Sequence, residues 1–219
     1  MKVNGNKVNI LVGGPTQQWP KQLTQGGIVG DWVGIDRGAL RLIKLGVIPK
    51  VAAGDFDSIS SNELAQLRQS VADIQQFPPE KDLTDTQIGV SIALKQLKAT
   101  RIDIYGATGG RLDHLLANLF LVLSDSLRPF ASRIRFIDQQ NTVCFFLPGE
   151  YEIKKEPDKK YLAFVNLTAV KGLTLTDEKY QLHQFGSDYP ISWASNEFVG
   201  TTNHFSFEMG VVAVIQSKD

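Results

Sequence analysis

The sequence is poor in features that would indicate a specialised class of protein. Cys144 is the only cysteine among 219 residues, so an intrachain disulfide and a zinc site built from several thiolates are both excluded. Basic and acidic residues number 23 each, so no global field draws the chain to nucleic acid or to an anionic membrane. The longest near-continuous apolar run, residues 115–123, is too short to span a bilayer. We therefore expect neither a nucleic-acid nor a membrane partner.

A secretory leader is also missing from the pattern. Residues 1–14 lack the apolar core and small-residue cleavage site of a signal peptide, which predicts a cytoplasmic protein. What remains is ordinary globular composition, with 42% hydrophobic and 21% charged residues. The length allows one large domain or two small ones.

Residues 1–139 alternate short β-branched runs with amphipathic stretches. This alternation is typical of a Rossmann-like, mostly parallel sheet with flanking helices. The clearest helical pattern covers 83–97, and Gly46 followed by Pro49 ends an earlier one. We predict strands at 8–12, 31–35, 50–53, 71–77, 101–105 and 133–137, and helices at 39–45, 83–97 and 112–124.

Residues 140–219 have a different character, because strand-like runs follow one another without a convincing helix. This pattern predicts a small all-β, sandwich-like domain. The predicted strands are 142–147, 151–154, 161–168, 172–175, 180–184, 204–208 and 211–216.

Acidic residues and glycines follow the predicted strands of the first domain. Asp36 follows the second strand, Asp55 and Asp57 follow the third, and Asp82 with Asp85 follow the fourth. A glycine-rich stretch, 106–111, follows the fifth. Ligands of open α/β sheets bind outside the carboxyl ends of the strands, so these segments are expected to converge on one crevice.

Asp55 and Asp57 are candidate metal ligands. They stand two residues apart, and two carboxylates held together need a cation between them. Oxygen ligands without a nearby imidazole or thiolate suit Mg²⁺ or Mn²⁺ better than zinc. The competing interpretation is a simple turn, because glycine, aspartate and serine are common turn residues.

Lys81, Asp82 and Asp85 stand at the start of the best helix. The two aspartates are three apart and would share one helical face. Asp82 as the N-cap and Asp85 as a first-turn charge would explain them without any ligand. Lys81 would either neutralise the pair or meet a phosphate.

The stretch 106–111 joins a strand to a helix through a glycine-rich turn, an arrangement that offers backbone N–H groups to an anion. Arg111 adds a forked cation suited to phosphate oxygens. Asp113 would either bind metal or orient Arg111. Walker and dinucleotide-binding glycine patterns are both absent. Cys144 lies in an apolar run typical of an inert thiol, so the residues favour direct transfer on a metal-bound phosphate over a covalent mechanism.

Taken together, these motifs resemble those of thiamine pyrophosphokinases. The likeness extends into the β region and covers nearly the whole chain. The motifs that carry it are Asp36-Arg-Gly-Ala, Gly54-Asp-Phe-Asp-Ser58, Lys81-Asp-Leu-Thr-Asp85, Gly109-Gly-Arg-Leu-Asp-His114, Gly172-Leu173, Tyr180-Gln-Leu182, Ser195-Asn196-Glu197 and Gly210-Val-Val-Ala-Val.

The resemblance implies transfer of a pyrophosphoryl group from ATP to the hydroxyl of thiamine, with Mg²⁺, in a homodimer whose active sites are shared between subunits. It implies a catalytic set of Asp55, Asp57, Asp85, Arg111 and Asp113, with Asp55, Asp57 and Asp85 as metal ligands. The implied nucleotide site comprises Asp36, Lys81, Asp82, Thr84, Gly109, Gly110, Arg111 and Asp113. The implied thiamine site comprises Tyr180, which packs against the substrate, and Ser195 with Asn196, which contact the pyrimidine.

Two other functions remain open at this point. One is a nucleotide- or thiamine-binding module that performs no transfer. The other is a metal-dependent phosphohydrolase, which would release phosphate or pyrophosphate without needing thiamine. Products formed from ATP, Mg²⁺ and thiamine separate all three.

Overall fold

The computed structural model describes residues 5–80 and 82–219. Contacts within the chain divide it into two compact units. The α/β unit comprises the chain up to Leu121 together with Phe136–Gln139, and the β unit comprises Val122–Arg135 together with Gln140–Asp219. The chain passes into the β unit for the last time between residues 139 and 140. Residues 122–135 belong to the β unit, although the sequence analysis assigned them to the first domain.

Residues 7–137 alternate strands and helices. The strands are β1 Lys7–Leu11, β2 Asp31–Ile35, β3 Val51–Gly54, β4 Asp73–Gln76, β5 Arg101–Tyr105 and β6 Ile134–Ile137. The helices are α1 Lys21–Gln25, α2 Arg37–Lys44, α3 Ser61–Ser70, α4 Asp85–Lys95 and α5 Leu112–Phe120, with 3₁₀ turns at Thr16–Gln18, Leu121–Leu123 and Arg128–Arg133.

The strands of the α/β unit lie in the order β4-β3-β2-β1-β5-β6. Strand pairs β3–β4, β2–β3, β1–β2 and β1–β5 are all parallel. Apolar side chains on these strands are almost fully buried, as with Val8, Ile10, Val33 and Ile104, each 0% exposed. A parallel sheet buries both faces in this way, which explains the continuous apolar runs of the sequence. The predicted α/β sheet is confirmed.

Local signals set the helix boundaries. Ser60 caps α3 and Thr84 caps α4, each in a reciprocal pair with the side chain three residues later. Helix α3 was missing from the sequence prediction, although the Ser60 to Glu63 spacing is a capping-box signal. Helix α5 ends at Phe120 and passes into a 3₁₀ turn, short of the predicted end at 124. Helix α4, with 11 residues, is the longest in the described parts of the chain, where no helix has the length and apolar character to cross a membrane.

The β unit contains two antiparallel sheets, of order β12-β9-β14-β7 and β11-β10-β13-β8. Its core draws on both sheets, with Phe164 from β9, Leu173 from β10, Phe205 from β13 and Val214 from β14. The predicted sandwich-like region is thus confirmed. Its strands are β7 Asn141–Phe146, β8 Gly149–Lys154, β9 Tyr161–Asn166, β10 Val170–Leu175, β11 Leu182–Ser187, β12 Ser192–Glu197, β13 Thr202–Phe207 and β14 Val212–Ser217.

Strand β12 was not predicted. Its six residues, Ser-Trp-Ala-Ser-Asn-Glu, have little apolar alternation and mostly low strand propensity. Pairing with β9 holds it in the sheet, with one extra residue between Trp193 and Asn196. Cys144, in β7, is half-buried instead of buried.

Candidate active site

The strand order of the α/β unit reverses between β1 and β5. Strands β2, β3 and β4 lie to one side of β1 and β5 lies to the other, so the chain has a topological switch point there. In open α/β sheets the ligand crevice forms at the carboxyl ends of the strands that flank such a point. Here those ends carry Gly13 and Gly14 after β1, and the glycine turn 106–110 after β5.

The two loops touch through their backbones. The Gly14 N–H donates to the Gly106 carbonyl oxygen at 3.0 Å. A Cβ at Gly14 would lie 2.1 Å from that same oxygen, so no side chain fits there. Gly109 and Gly110, with φ of +75° and +70°, are exposed in the conformation that glycine adopts most easily. The crevice floor is therefore backbone, which can approach a phosphate closely.

Arg111 follows this turn immediately before α5. Its Nε lies 3.1 Å from Asp113 Oδ1, and both side chains are exposed, at 73% and 62%. The hydrogen bond from Arg111 lowers the pKa of Asp113, and the same bond raises the pKa of Arg111. Of the two roles left open for Asp113, this geometry favours the orientation of Arg111. Asp113 thus orients the guanidinium of Arg111, which remains accessible to solvent.

Residues in left-handed backbone conformations occur in two loops of this edge, at Asp36 directly after β2 and at Phe56 in the loop after β3. Asp36 has φ +47° and Phe56 has φ +61°, which are costly for residues other than glycine. The Phe56 N–H donates to Asp36 Oδ1 at 3.3 Å, and a Cβ at Gly54 would lie 1.7 Å from the same oxygen. The Asp57 N–H donates to Asp55 Oδ1 at 3.0 Å. Strain of this kind clusters at functional sites, and here it fixes the loop that presents Asp55 and Asp57.

Two arginines that the sequence analysis missed also reach this edge of the sheet. Arg37, in the first turn of α2, donates to the carbonyl oxygen of Ser58. Arg41, one turn later, donates to the Gly14 carbonyl at 2.7 Å and lies over the Trp19 ring at 5.7 Å. Burial and the charge of Arg37 lower the pKa of Arg41. Their four-residue spacing, which puts both on one helical face, was the available signal.

At the start of α4 the cap is Thr84, not Asp82. Thr84 Oγ1 accepts the Gln87 N–H at 3.3 Å, while Asp82 lies exposed in the preceding bend. Asp85 is the first helical residue and half-buried, at the positive end of the helix dipole. The predicted nucleotide-site residue Lys81 lies outside the described residues.

The donor set at this edge fits magnesium. Within residues 5–80 and 82–219, no three His, Cys, Asp or Glu side chains are grouped closely enough to hold one metal ion by themselves. Mg²⁺ does not need such a cage, because it is usually bound by one or two carboxylates together with water and substrate phosphates. Half-buried Asp55 and exposed Asp57, fixed on one loop, supply two carboxylates of that kind.

The three predicted thiamine-site residues lie near one another in the β unit, because Asn196 hydrogen-bonds to Tyr180 and Ser195 is its chain neighbour. Tyr180 is 59% exposed, and the Lys179 ammonium lies 5.4 Å from its ring centroid. Ser195 is exposed and has φ +60°. Asn196, in contrast, is only 2% exposed and hydrogen-bonds to the backbone of Tyr180. Trp193 packs its ring against Phe185 at 5.4 Å, so Tyr180 is the more accessible aromatic surface.

A parallel sheet that carries glycine turns at its switch point, with arginines and paired carboxylates on other loops of the same carboxyl edge, defines a class of α/β proteins that bind phosphorylated ligands there. Comparison with known proteins narrows this class. Residues 30–130 match the family model of the thiamin pyrophosphokinase catalytic domain, and residues 150–212 match that of the thiamin pyrophosphokinase vitamin B1 binding domain.

Whole-chain relatives agree with these matches. The thiamine pyrophosphokinase of Bacillus subtilis is 36% identical over 217 residues, covering 97% of this chain and 99% of the relative. A crystal structure of a thiamin pyrophosphokinase family protein from Enterococcus faecalis is 42% identical, with a TM-score of 0.90 over 98% of this chain and 99% of that one. A protein of known structure from Lactobacillus plantarum is 55% identical, with a TM-score of 0.90 over 98% and 99% of the two chains. The chain belongs to the thiamine pyrophosphokinase family.

Proposed function

We propose that this chain transfers the pyrophosphoryl group of ATP directly to the hydroxyl of thiamine, giving thiamine diphosphate and AMP. The observation that carries the proposal is the convergence at one sheet edge of a glycine-lined switch point with the strained loop that presents Asp55 and Asp57. A crevice of this kind offers donors for a polyphosphate and carboxylates for its counter-ion. Family membership supplies the acceptor, since the second matched domain is a vitamin B1 binding domain.

Asp55 and Asp57 would hold Mg²⁺ together with substrate phosphates, and Asp85 is the third ligand that the family resemblance implies. The bound ion would supply charge neutralisation on the phosphate oxygens. Strain at Asp36 and Phe56 favours this role, because it fixes the direction of the Asp55 and Asp57 backbone before any ligand arrives.

The protein's own donors act on the rest of the nucleotide. The backbone N–H groups of the exposed residues Gly109 and Gly110, just before α5, would bind phosphate oxygens. Arg111, directed by Asp113, would add a forked cation to the same oxygens and spread the charge that develops on the departing AMP. Asp36, Lys81, Asp82 and Thr84 complete the proposed nucleotide site. The Thr84 hydroxyl oxygen is already used to cap α4, so its contribution there is to fix the helix start.

Thiamine is a flat aromatic cation, and the exposed ring of Tyr180 offers a face for it. Ser195 would present its hydroxyl to the pyrimidine from the bulge of β12. Direct attack by the thiamine alcohol on the β-phosphorus needs no enzyme nucleophile, so catalysis rests on positioning and electrostatics. A cytoplasmic location fits a reaction that consumes ATP.

We also propose a homodimer in which the α/β unit of one subunit and the β unit of the other share each active site. Support comes from α5, which exposes Leu112, Leu116 and Phe120 by 67%, 41% and 48%. Their spacing of four aligns them on one helical face directly after Arg111. An apolar stripe of this kind marks an interaction surface, and a second copy covering it would lie beside the nucleotide site.

The test is product analysis after incubation with ATP, Mg²⁺ and thiamine. Thiamine diphosphate and AMP in equal amounts are expected. ADP with thiamine monophosphate would contradict pyrophosphoryl transfer, and phosphate released without thiamine would indicate a phosphohydrolase. Binding of both substrates without turnover would indicate the non-catalytic module.

A further inference from the structure

The side chain of Asn196 is a buried connector between β12 and the segment that carries Tyr180. Its Oδ1 accepts the Tyr180 N–H at 2.9 Å, and its Nδ2 donates to the Tyr180 carbonyl oxygen at 2.8 Å. The two bonds reproduce with a side-chain amide the paired bonds that a neighbouring strand would make. Both backbone groups of Tyr180 are therefore fixed by one residue.

The hydrogen-bonding capacity of Asn196 is largely used. Oδ1 accepts a second bond from the Glu197 N–H at 2.9 Å, which fills both of its lone pairs. The side chain is 2% exposed, so only one Nδ2 hydrogen is left and it lies in the interior. A substrate atom would have little to bind on this amide.

A bulge directs Asn196 inward. Trp193 pairs with Phe164 and Asn196 pairs with Leu162, so β12 contains one extra residue over this interval. Ser195 absorbs it with φ +60°. The bulge therefore leaves Ser195 exposed and turns the adjacent Asn196 into the unit, where it meets Tyr180.

Residues 177–179 are held independently of Asn196. The Lys179 N–H donates to the Glu197 carbonyl at 3.1 Å, and its ammonium meets the Glu197 carboxylate at 2.8 Å. Asp177 Oδ1 accepts the His204 N–H at 2.8 Å. The approach to Tyr180 is thus anchored, and the Asn196 amide supplies the last fixed point before the exposed ring.

We propose that Asn196 is a positioning residue for thiamine, acting through Tyr180 by holding its backbone and so aiming its ring, and that it is not itself a thiamine contact. The inference rests on the proposed thiamine site. It assigns Ser195 and Asn196 different roles, although the family resemblance treats them as one contacting pair.

The physical consequence is pre-organisation. A ring held in its binding position loses less conformational freedom when thiamine packs on it. Without the amide, Tyr180 must be ordered during binding, so the KM for thiamine rises about tenfold while kcat changes little. The KM for ATP is unchanged, because the segment lies in the β unit.

The experiment is a double-mutant cycle with Asn196→Ala and Tyr180→Ala. The kcat, the KM for each substrate and the thiamine Kd from equilibrium dialysis are measured for all four proteins. If Asn196 acts through Tyr180, the double variant binds thiamine as weakly as Tyr180→Ala alone. Effects that multiply would overturn the inference, because they would mean an independent contact. So would a wild-type thiamine KM in Asn196→Ala.

Asn166 supplies a matched control. It is fully buried, accepts the Ile191 N–H at 2.7 Å and donates to the Tyr189 carbonyl at 2.9 Å, at the opposite end of β12. Asn166→Ala should lower Tm comparably and leave the thiamine KM unchanged. A tenfold rise in the thiamine KM of Asn166→Ala would overturn the inference, because it would show that any destabilisation of the β unit weakens thiamine binding.

A second variant keeps the test open to refutation if Asn196→Ala does not fold. Asn196→Asp retains the acceptor for Tyr180 and Glu197 and replaces the donor to the Tyr180 carbonyl by a carboxylate oxygen that repels it, so the same cycle is run with it. A wild-type thiamine KM in Tyr180→Ala would contradict the proposed thiamine site together with the inference. A weakened Tyr180→Ala beside an unaffected Asn196→Asp would contradict the inference alone.

Discussion

The α/β unit and the β unit present their candidate functional side chains in different ways. In the α/β unit, Asp57 and Arg111 are exposed on loops that contain glycine contacts or strained turns, and Asp113 is exposed in the first turn of α5. In the β unit, a buried amide fixes Tyr180 and leaves only its ring exposed. The first arrangement suits charged ligands that bring their own oxygens to the site. The second suits a flat aromatic ligand, which packs against a single ring whose position is fixed before binding.

Loss of the Asp57 charge should have the largest effect and would test the role of the exposed α/β residues. Asp57→Asn should lower kcat about a thousandfold, because metal-borne charge stabilisation contributes several kcal/mol and each ~1.4 kcal/mol is tenfold in rate. The Tm should stay near the wild-type value, since Asp57 is exposed. Steady-state kinetics and thermal melts check both expectations.

The matched control is Asp188→Asn, an exposed aspartate of the β unit, which should keep full activity. Near-normal turnover in Asp57→Asn at saturating Mg²⁺ would contradict the metal assignment. It would also mean that the exposed charged side chains of the α/β unit do not act on a metal-bound ligand, as the comparison between the two units assumes.

The next effect tests whether close backbone contact builds the nucleotide crevice. Gly14→Ala places a Cβ 2.1 Å from the Gly106 carbonyl oxygen, and backbone on both sides leaves no easy relief. We expect a loss of about 2 kcal/mol in the free energy of unfolding and a higher KM for ATP. Gly13→Ala is the control, because nothing lies within 4 Å of its Cβ position. Equal denaturation midpoints for the two variants would contradict this account of the crevice.

The sequence was sufficient to predict which loops follow the parallel strands of the α/β unit, but not the interior of the β unit. Strand ends, the loop of Asp55 and Asp57 and the glycine turn are all local patterns, and topology then brings them to one edge. The partners of Asn196 cannot be read in this way, because they depend on a bulge and on a strand of low propensity that only pairing with β9 defines.

Two helix starts are intermediate cases, because the sequence contains capping-box spacings that mark them but that the prediction did not use. The Ser60 to Glu63 spacing marks α3, and the Thr84 to Gln87 spacing marks the start of α4. His204 is a different case. Its partners Asp177 and Glu152 come from other elements of the β unit, 27 and 52 residues away, so no local spacing reveals them. Non-local pairs of this kind need the fold first.

A third prediction concerns the energetic cost of the buried polar layer that Glu178 and Asn203 form in the β unit. Glu178 is 1% exposed, burial raises its pKa, and its Oε1 has no hydrogen-bond partner among the described residues. Asn203 Oδ1 is a second buried acceptor in the same condition. Glu178→Gln removes the ionisable group and adds a donor, so we expect the free energy of unfolding to rise by about 1 kcal/mol near neutral pH.

The sign of this effect depends on pH. A carboxyl whose folded-state pKa is raised destabilises the fold fully at pH values above that raised pKa. The penalty becomes smaller as pH falls below it and is gone below the unfolded value of 4.5. The advantage of Glu178→Gln should therefore shrink in acid. Urea denaturation at several pH values measures the difference in free energy of unfolding. If Glu178→Gln is less stable than wild type at neutral pH, the buried carboxylate makes stabilising interactions and this account of it is wrong.

The smallest expected effect comes from the exposed ion pair at the edge of the same layer. The His204 Nδ1 lies 2.6 Å from Asp177 Oδ2, and this hydrogen bond raises the pKa of His204 above its ordinary 6.5, with Glu152 acting in the same direction from 3.5 Å. A raised histidine pKa stabilises the fold fully below the unfolded pKa and loses that contribution as pH rises through the folded one. His204→Gln should therefore lower Tm most at about pH 5.5 and least at about pH 9. The shift should be modest because His204 and Asp177 are 54% and 40% exposed, and a pH-independent difference would mean that His204 contributes by packing instead of by charge.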